Sequence, residues 1–265
     1  MATASVDPEG LETRRVNVLG VGISPISMAQ ALDSMAGWIA SRRYSYVCLA
    51  PAHSVMSCQG DARLARIFNS SGLTTPDGMS LVWLLRLKGF THVERIYGPD
   101  LVLAACRRGL EHGWRHFLYG GAPGEEADLT ARLESQTPGL SVCGTYTPPF
   151  RALTDSEDSG MVKQVNATRP DVVWVGIGSP NQERWMAEHL GRIEAPVLVG
   201  VGAAFDFLSG RKLQAPRWMQ RSGLEWLFRL ATEPRRLWPR YRRYPHFALL
   251  VLAQELGLRS YRLDG

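Results

Sequence analysis

The sequence has few cysteines and no long apolar run, and each absence excludes a class of protein. Its four cysteines are widely spaced and include no CxxC pair, which argues against a zinc cluster or a disulfide framework and favours reduced thiols in the cytoplasm. The longest apolar run near the C-terminus, residues 247–253, is far shorter than the roughly 20 residues that span a bilayer. The first fifteen residues are polar, so we expect no secretory signal there. These features predict a cytoplasmic protein that meets a membrane only at its surface.

The sequence also lacks the standard signatures of nucleotide and metal sites. It has no GxxxxGK[ST] motif, which argues against a P-loop, and no GxGxxG motif, because the segment at 200–205 has no third glycine. It has neither a DxD pair to hold a divalent metal against a diphosphate nor an HExxH motif. Without a metal, a diphosphate needs fixed cations, and arginine suits that task through bidentate contact with phosphate. We therefore expect a site that uses no metal.

Positive charge is concentrated near the C-terminus. The net charge is +5, and residues 217–243 contain eight arginines but only two glutamates. Trp218, Trp226, Phe228 and Trp238 are interleaved with these arginines. Three interpretations fit this pattern: an amphipathic element on an anionic membrane surface, a nucleic-acid patch, or packed helices with a solvated basic face. The aromatic residues favour the membrane interface, and an exposed aromatic segment would also provide a surface for homo-oligomer formation.

Between these ends, strands alternate regularly with amphipathic helices. Buried strands are predicted at 15–21, 46–49, 73–75, 116–119, 140–144, 172–176 and 197–201. The first helix is predicted to start after an N-cap at Ser24 and to end near Arg42. This alternation predicts an α/β fold with a mostly parallel sheet flanked by helices. A shift in composition at 213–216 predicts a division into a polar lead (1–14), an α/β core (15–214) and a basic, aromatic, helical appendage (215–265).

Glycines and a few polar residues follow the predicted strands, where open α/β sheets bind ligands. Asp77 lies in a Pro-Asp-Gly turn that would hold a catalytic carboxylate, although Asp-Gly also forms ordinary turns. The turn at 120–124 fits either close approach to a diphosphate or a tight turn without a ligand. Asp206 is equally ambiguous, and Glu183 opens a helix whose dipole it would complement. His53, on an apolar helix, is interpreted as a packing residue.

Eight short motifs occur in order along the chain, each weak alone and specific together. They are TPDGM (75–79), YGPD (97–100), LYGGAPG (118–124), VGIGSPNQERW (175–185), GVGAAFD (200–206), APRW (215–218), GLEWLFR (223–229) and EPRR (233–236). In this order they resemble the WecG/TagA/CpsF glycosyltransferase family from about residue 16 to residue 243. Two positions depart from the family pattern, because Cys48 and Ala50 stand where relatives often have threonine and asparagine.

The resemblance implies a fold, an activity and a location. It implies a Rossmann-like α/β catalytic core and a C-terminal appendage that docks on an anionic membrane surface at the inner face of the cell membrane. It implies an inverting, metal-independent transfer from a UDP-sugar to a polyprenyl-diphosphate-linked sugar in cell-surface polysaccharide biosynthesis. No cofactor and no nucleic acid is expected. Relatives use different UDP-sugars, so the family pattern leaves the donor sugar open.

The resemblance also implies roles for individual residues. Asp77 is similar to the family's general base, and Arg229 and Arg236 are similar to the cations that stabilise the departing diphosphate. The implied substrate contacts are Arg95, Gly98, Asp100, Gly120, Gly121, Gly178, Gln182, Glu183 and Asp206.

Two other classes of function compete with this interpretation. A nucleotide-binding oxidoreductase would need the complete glycine fingerprint that the sequence lacks. A non-enzymatic module that binds membrane or nucleic acid would use the basic segment but would leave Asp77 and the glycine turns without a role. UDP binding without DNA binding would separate these alternatives from the transferase.

Overall fold

The computed structural model describes residues 4–6 and 12–263, and these form an α/β protein. The strands are β1 (Ala4–Val6), β2 (Glu12–Arg14), β3 (Val16–Val18), β4 (Val21–Ile23), β5 (Ser45–Ala50), β6 (Leu73–Pro76), β7 (Arg115–Gly120), β8 (Ser141–Tyr146), β9 (Val172–Gly176) and β10 (Val197–Gly200). The helices are α1 (Met28–Ser41), α2 (Ala52–Cys58), α3 (Ala62–Asn69), α4 (Met79–Leu87), α5 (Gly98–His112), α6 (Glu126–Gln136), α7 (Asp155–Ala167), α8 (Asn181–His189), α9 (Ala204–Leu208), α10 (Arg217–Arg221), α11 (Glu225–Thr232), α12 (Pro234–Tyr241) and α13 (Tyr244–Glu255).

Six of the strands form one sheet in the order β6-β5-β10-β9-β7-β8. The pairs β5–β10, β10–β9, β9–β7 and β7–β8 are parallel. β9 and β10 consist largely of valine that is buried on both faces, as expected for parallel strands covered by helices on both sides. The predicted α/β class with a mostly parallel sheet is confirmed, and the C-terminal segment is helical as predicted.

The N-terminal part of the fold differs from the prediction. The strand predicted at 15–21 is an antiparallel hairpin of β3 and β4, and it turns at Leu19 and Gly20, which both have positive φ. The helix predicted to start after Ser24 begins instead at Met28. Ser24 is hydrogen-bonded to β6 instead: its N–H donates to the Thr74 carbonyl oxygen at 2.7 Å, and the Thr74 N–H donates to the Ser24 hydroxyl at 3.1 Å. A tertiary contact therefore overrides the local capping signal.

Close contacts divide the chain into two compact units. Within the described part of the chain, the first unit comprises the residues up to 27, residues 49–97 and the residues from 214 onwards, and the second comprises 28–48 and 98–213. Much of the polar lead, residues 1–3 and 7–11, lies outside the described part of the chain. The division into lead, core and appendage stays a prediction.

In the first unit, the C-terminal helices are packed and partly buried. Leu237, Tyr241 and Phe247 are buried apolar side chains of α12 and α13. Gln254, in the last turn of α13, accepts a hydrogen bond from the Leu19 N–H at 2.9 Å through its side-chain oxygen. This segment therefore contributes to the core of the first unit.

In the second unit, an aromatic stack fixes the helix that carries two of the predicted site residues. The rings of Tyr119 and Trp185 lie 4.1 Å apart, and those of Trp185 and His189 lie 4.3 Å apart. Since Tyr119 belongs to β7 and the other two rings to α8, the stack holds the helix on the sheet. The first turn of this helix carries Gln182 and Glu183.

Candidate active site

A cleft in the first unit is lined by charged and aromatic side chains. The charged side chains are those of Asp77, Arg95, Glu225 and Arg229. The aromatic and imidazole side chains are those of His53, Trp83, Trp226, Tyr241 and Tyr244. The structure thus brings together three residues that the sequence singled out, Asp77, Arg95 and Arg229, from segments that are far apart in the chain.

Asp77 is fixed by two backbone hydrogen bonds of the peptide group that precedes it. It follows the last residue of β6, and Gly78 is the N-cap residue of α4. The Asp77 N–H donates to the Ala50 carbonyl oxygen at 3.2 Å, and the Ile96 N–H donates to the Pro76 carbonyl oxygen at 2.9 Å. The Asp77 side chain is 24% exposed. A rigid backbone therefore presents this carboxylate to the cleft.

Arg95 lies between two carboxylates. Its Nε donates to the Asp77 carbonyl oxygen, and its guanidinium lies 4.3 Å from the centre of the Tyr97 ring. Arg95 Nη2 lies 3.7 Å from Asp77 Oδ1 but only 2.6 Å from Glu225 Oε2. The cation is therefore anchored beside Asp77 while its shorter ion pair is made with Glu225.

The environment of the cleft raises the pKa of Asp77 towards neutral pH. Burial raises the pKa of its carboxyl to about 6, Arg95 and Arg229 oppose that rise, and Glu225 adds to it. A carboxylate with this pKa is ionised at pH 7 and above and accepts a proton readily during a reaction. The arrangement suits a general base.

Arg229 and Arg236 occupy different environments. Glu225 and Arg229 are four residues apart on α11, so their side chains lie on one face of the helix and both reach the cleft. Burial opposes the charge of Arg229, but Tyr241 and Glu225 raise its pKa, so it stays cationic. The Arg236 side chain, on α12, is 44% exposed and pairs with Glu233 at 2.6 Å. The structure places Arg229, but not Arg236, among the lining residues of the cleft.

His53 is a cleft residue that the sequence interpretation missed. Burial, together with the charges of Arg240 and Arg229, lowers the pKa of its imidazole to about 3, so the ring is neutral at physiological pH. It lies on α2, directly after β5, and therefore at a strand end, as Asp77 does. That position was the available signal, but the apolar helix around it is equally typical of core packing. Glu225 was missed because its sequence context identifies no partner.

Gly120, one of the glycines predicted to contact substrate in the second unit, is required by the packing of the sheet. Gly120 has a φ of +113°, and a Cβ there would lie 2.7 Å from the backbone of Gly176. The Gly121 N–H donates to the Gly176 carbonyl oxygen at 3.3 Å. The Ala122 N–H donates to the Glu125 carboxylate at 2.9 Å, so part of the donor capacity of this turn is used within the protein. The role of these glycines in binding stays a prediction.

The polar residues predicted in the second unit are spread over three helices. Gln182 and Glu183 are buried in the first turn of α8, where the Gln182 amide donates to the Glu183 carboxylate at 3.1 Å. Burial raises the pKa of Glu183. Asp206, on α9, pairs with Lys212 at 2.5 Å. Asp100 lies in the first turn of α5.

The remaining predicted contacts in this unit are Gly98, the first residue of α5, and Gly178, which has a φ of +82° before α8. A contact between substrate and any of these polar or glycine residues stays a prediction.

Within residues 4–6 and 12–263, no group of three or more His, Cys, Asp or Glu side chains is arranged to hold a metal ion. In the same part of the chain, no helix combines the length and the apolar composition that crossing a membrane would need.

The fold and the cleft define an α/β protein whose candidate site pairs carboxylates with arginines. The chain belongs to the glycosyl transferase WecG/TagA/CpsF family, whose model matches residues 16–261, so the resemblance of the eight motifs is confirmed. Two relatives, from Bacillus subtilis (strain 168) and Bacillus spizizenii (strain W23), are each 31% identical to this chain over 196 residues. The match covers 74% of this chain and of the first relative, and 73% of this chain and of the second. Both relatives are named N-acetylglucosaminyldiphosphoundecaprenol N-acetyl-beta-D-mannosaminyltransferase.

Proposed function

We propose that this protein is an inverting, metal-independent glycosyltransferase that moves a sugar from a UDP-sugar to a polyprenyl-diphosphate-linked sugar in cell-surface polysaccharide biosynthesis. The observation that carries the proposal is the Asp77 carboxylate, with a pKa of about 6, in a cleft that it shares with Arg95 and Arg229. Family membership and the names of the two Bacillus relatives support the same substrate classes.

On the acceptor side, Asp77 is the proposed general base. The acceptor hydroxyl oxygen attacks the anomeric carbon of the donor, and its proton passes to the Asp77 carboxylate. Attack from the face opposite the leaving group inverts the configuration at that carbon. Arg95 keeps the carboxylate in place through the hydrogen bond to its main-chain oxygen.

On the donor side, the bond between the anomeric carbon and the diphosphate oxygen breaks, and UDP leaves with the electron pair. Arg229 is the first candidate to stabilise that negative charge, because it lies in the cleft and stays protonated. Arg236 is proposed as a second cation that would exchange its ion pair with Glu233 for one with the diphosphate. Two arginines would then do the work of a divalent metal.

The sugar that the two Bacillus relatives are named for makes UDP-N-acetylmannosamine the first donor to test. The two positions that depart from the family pattern, Cys48 and Ala50, are fully buried in β5. A hydroxyl and an amide are therefore missing at these positions, and a panel of donors is needed. The contacts predicted in the second unit stay proposed donor contacts.

The experiment that tests the proposal offers a panel of UDP-sugars and an N-acetylglucosaminyl-diphospho-polyprenol acceptor in the presence of EDTA. We expect one donor to give product at a rate that EDTA does not change, with inverted configuration at the new linkage by NMR. Loss of activity in EDTA that Mg²⁺ or Mn²⁺ restores would refute metal independence. No product from any donor, with tight binding to vesicles or DNA, would favour a binding module; hydride transfer from a nicotinamide cofactor would favour an oxidoreductase.

We also propose that the protein docks on the anionic inner face of the cell membrane through its C-terminal segment. Trp218 and Trp238 are 63% and 59% exposed. Two exposed arginines are near them in sequence: Arg217 directly precedes Trp218, and Arg235 lies three residues before Trp238. Exposed indole rings next to cations are typical of an interfacial surface. The same surface would serve for self-association in the absence of a membrane.

The docking proposal predicts that the double variant Trp218→Ser/Trp238→Ser binds phosphatidylglycerol vesicles at least about tenfold more weakly, because two interfacial anchors are lost. Vesicle co-sedimentation measures this, with Phe150→Ser as the control, since Phe150 is 93% exposed outside this segment. Unchanged binding of the double variant would rule out docking through these rings. Point variants are required because truncation after Gln214 would remove Leu237 and Tyr241 from the core of the first unit.

A further inference from the structure

Glu225 is a buried carboxylate that the proposed chemistry does not use. It is the first residue of α11 and is only 8% exposed. Its Oε2 forms an ion pair with Arg95 Nη2 at 2.6 Å. A buried carboxylate beside a candidate base is costly unless it is paired, because burial disfavours charge and the two anions repel each other. The pairing with Arg95 therefore stabilises Glu225 in its position close to Asp77.

We propose that Glu225 is a positioning residue that holds the Arg95 guanidinium away from the Asp77 carboxylate and so keeps that carboxylate available to take a proton. This inference rests on the proposed function only in assigning the proton to an acceptor hydroxyl. The pairing itself is a property of the cleft.

The geometry shows how one cation is divided between two anions. The Nε of Arg95 is bound to the Asp77 main-chain oxygen, and the guanidinium is stacked on Tyr97, so the cation remains beside Asp77 in any case. The Nη2 atom of Arg95 is the part shared by the two carboxylates: it lies 2.6 Å from Glu225 Oε2 and 3.7 Å from Asp77 Oδ1. Without the charge of Glu225, Nη2 loses its nearer partner, and Asp77 is then the remaining anion of this group.

The charges around Asp77 also indicate that Glu225 keeps the pKa of Asp77 high. The groups that act on it are Arg95 from the segment before α5 and Glu225 and Arg229 from α11. Two tyrosines, Tyr97 and Tyr244, also face it, and burial raises the pKa of both phenols so far that they stay neutral at any assay pH.

Replacing Glu225 with a neutral side chain would therefore lower the pKa of Asp77 in two ways. It would remove a nearby anion, and it would free Arg95 to pair with Asp77. A base with a lower pKa takes the acceptor proton less readily, and one that is tightly paired is also less free to approach the acceptor.

The C-terminal segment thereby acts on both halves of the reaction. Glu225 and Arg229 lie on one face of α11, four residues apart. One adjusts the base through Arg95, and the other is the proposed cation for the leaving group. The base is correctly adjusted only when this helix is packed in the cleft.

The test compares the full-length wild type with Glu225→Gln, which keeps the size of the side chain and removes its charge. The Asp77 resonance is followed by ¹³C NMR from pH 4 to 9 in protein labelled at the aspartate carboxyl carbon, and the variant Asp77→Asn assigns it. We expect a titration midpoint near pH 6 in the wild type and one lower by about one unit or more in Glu225→Gln. Glu255→Gln is the matched control, because Glu255 pairs with Lys88 at 2.7 Å in the same unit but does not line the cleft.

An unchanged Asp77 midpoint in Glu225→Gln would overturn the inference, and so would an equal shift in the control. Glu225→Asp keeps the charge and should restore a midpoint near that of the wild type. If Glu225→Gln does not fold, Arg95→Gln tests the same pairing: removing the shared cation should raise the midpoint, and a midpoint that stays in place contradicts the inference.

Enzyme assays separate this inference from the proposed function. In the acid limb of the pH–rate profile, Glu225→Gln should shift to lower pH together with the NMR midpoint, while the plateau rate falls. A shifted midpoint in a protein that transfers no sugar from any donor would support the pairing and reject the function. Sugar transfer by the wild type, together with an unchanged Asp77 midpoint in Glu225→Gln, would support the function and reject the pairing.

Discussion

Asp77→Asn is expected to lower the rate of sugar transfer by about 100- to 10,000-fold, the usual contribution of a general base. Asparagine has nearly the same shape as aspartate but does not take the acceptor proton. The affinity for UDP, the nucleotide part of the donor, should change little by calorimetry, because the proposed role of Asp77 is to take a proton from the acceptor. The measurement is the initial rate at saturating donor, compared with that of Asp33→Asn, which removes a carboxylate paired with Arg108 on the second unit. A rate near that of the wild type would remove Asp77 as the base.

The stability of this variant provides a second, independent check. Because the pKa of Asp77 is raised by folding to about 6, ionising it costs stability: its contribution is fully present below pH 4 and is lost as the pH rises through 6. Asp77→Asn removes that cost, so at pH 8 the variant should be more stable to urea by about 1–3 kcal/mol. The difference should disappear near pH 4. A variant that is less stable at pH 8 would contradict the raised pKa.

Arg229→Ala is expected to lower the turnover rate by about 100- to 1,000-fold, the cost of losing one preorganised group that stabilises developing negative charge. In the proposed metal-independent reaction, the departing diphosphate would depend on such fixed cations. Arg236→Ala should have a smaller effect, because that side chain is exposed and already paired with Glu233. Arg229→Lys should restore only part of the rate, since an ammonium does not reproduce bidentate contact with phosphate.

The assay for Arg229 needs a pH well above 6, because Arg229 also lowers the pKa of Asp77, and its removal shifts the acid limb of the profile upwards. At pH 8 the base is ionised in both proteins, and the remaining difference reports on the leaving group. A detergent-dispersed acceptor removes any effect of membrane docking. Arg66→Ala, a substitution of an exposed arginine on α3, is the control. Normal turnover by both Arg229→Ala and Arg236→Ala would mean that the diphosphate is stabilised elsewhere.

The sequence predicted the sheet and one part of the candidate site well. Strands β5, β6, β7, β9 and β10 were predicted to within about two residues at each end, because short runs rich in apolar and β-branched residues are a local signal. Asp77 was identified for the same reason: the strand, the turn and the following helix are contiguous in the chain.

The sequence failed where contacts between distant segments decide the structure. Ser24, followed by a proline, has local features of an N-cap, but it is hydrogen-bonded to Thr74, fifty residues away. The same limitation hid His53, whose pKa is lowered by burial and by the charges of Arg240 and Arg229, far along the chain. Burial and charge are summed over neighbours in space, and no window along the sequence contains those neighbours.

By itself, the sequence determined the α/β class, the family and the turn that carries Asp77. Each of these depends on the propensities and motifs of contiguous residues, which can be recognised without the tertiary structure. Only the tertiary structure decided which charges surround that carboxylate. Arg95, Glu225 and Arg229 come from two segments separated by more than a hundred residues, and folding brings them around Asp77. The strength of a base is set by the charges and the desolvation within a few ångströms of it, and these exist only once the chain is packed.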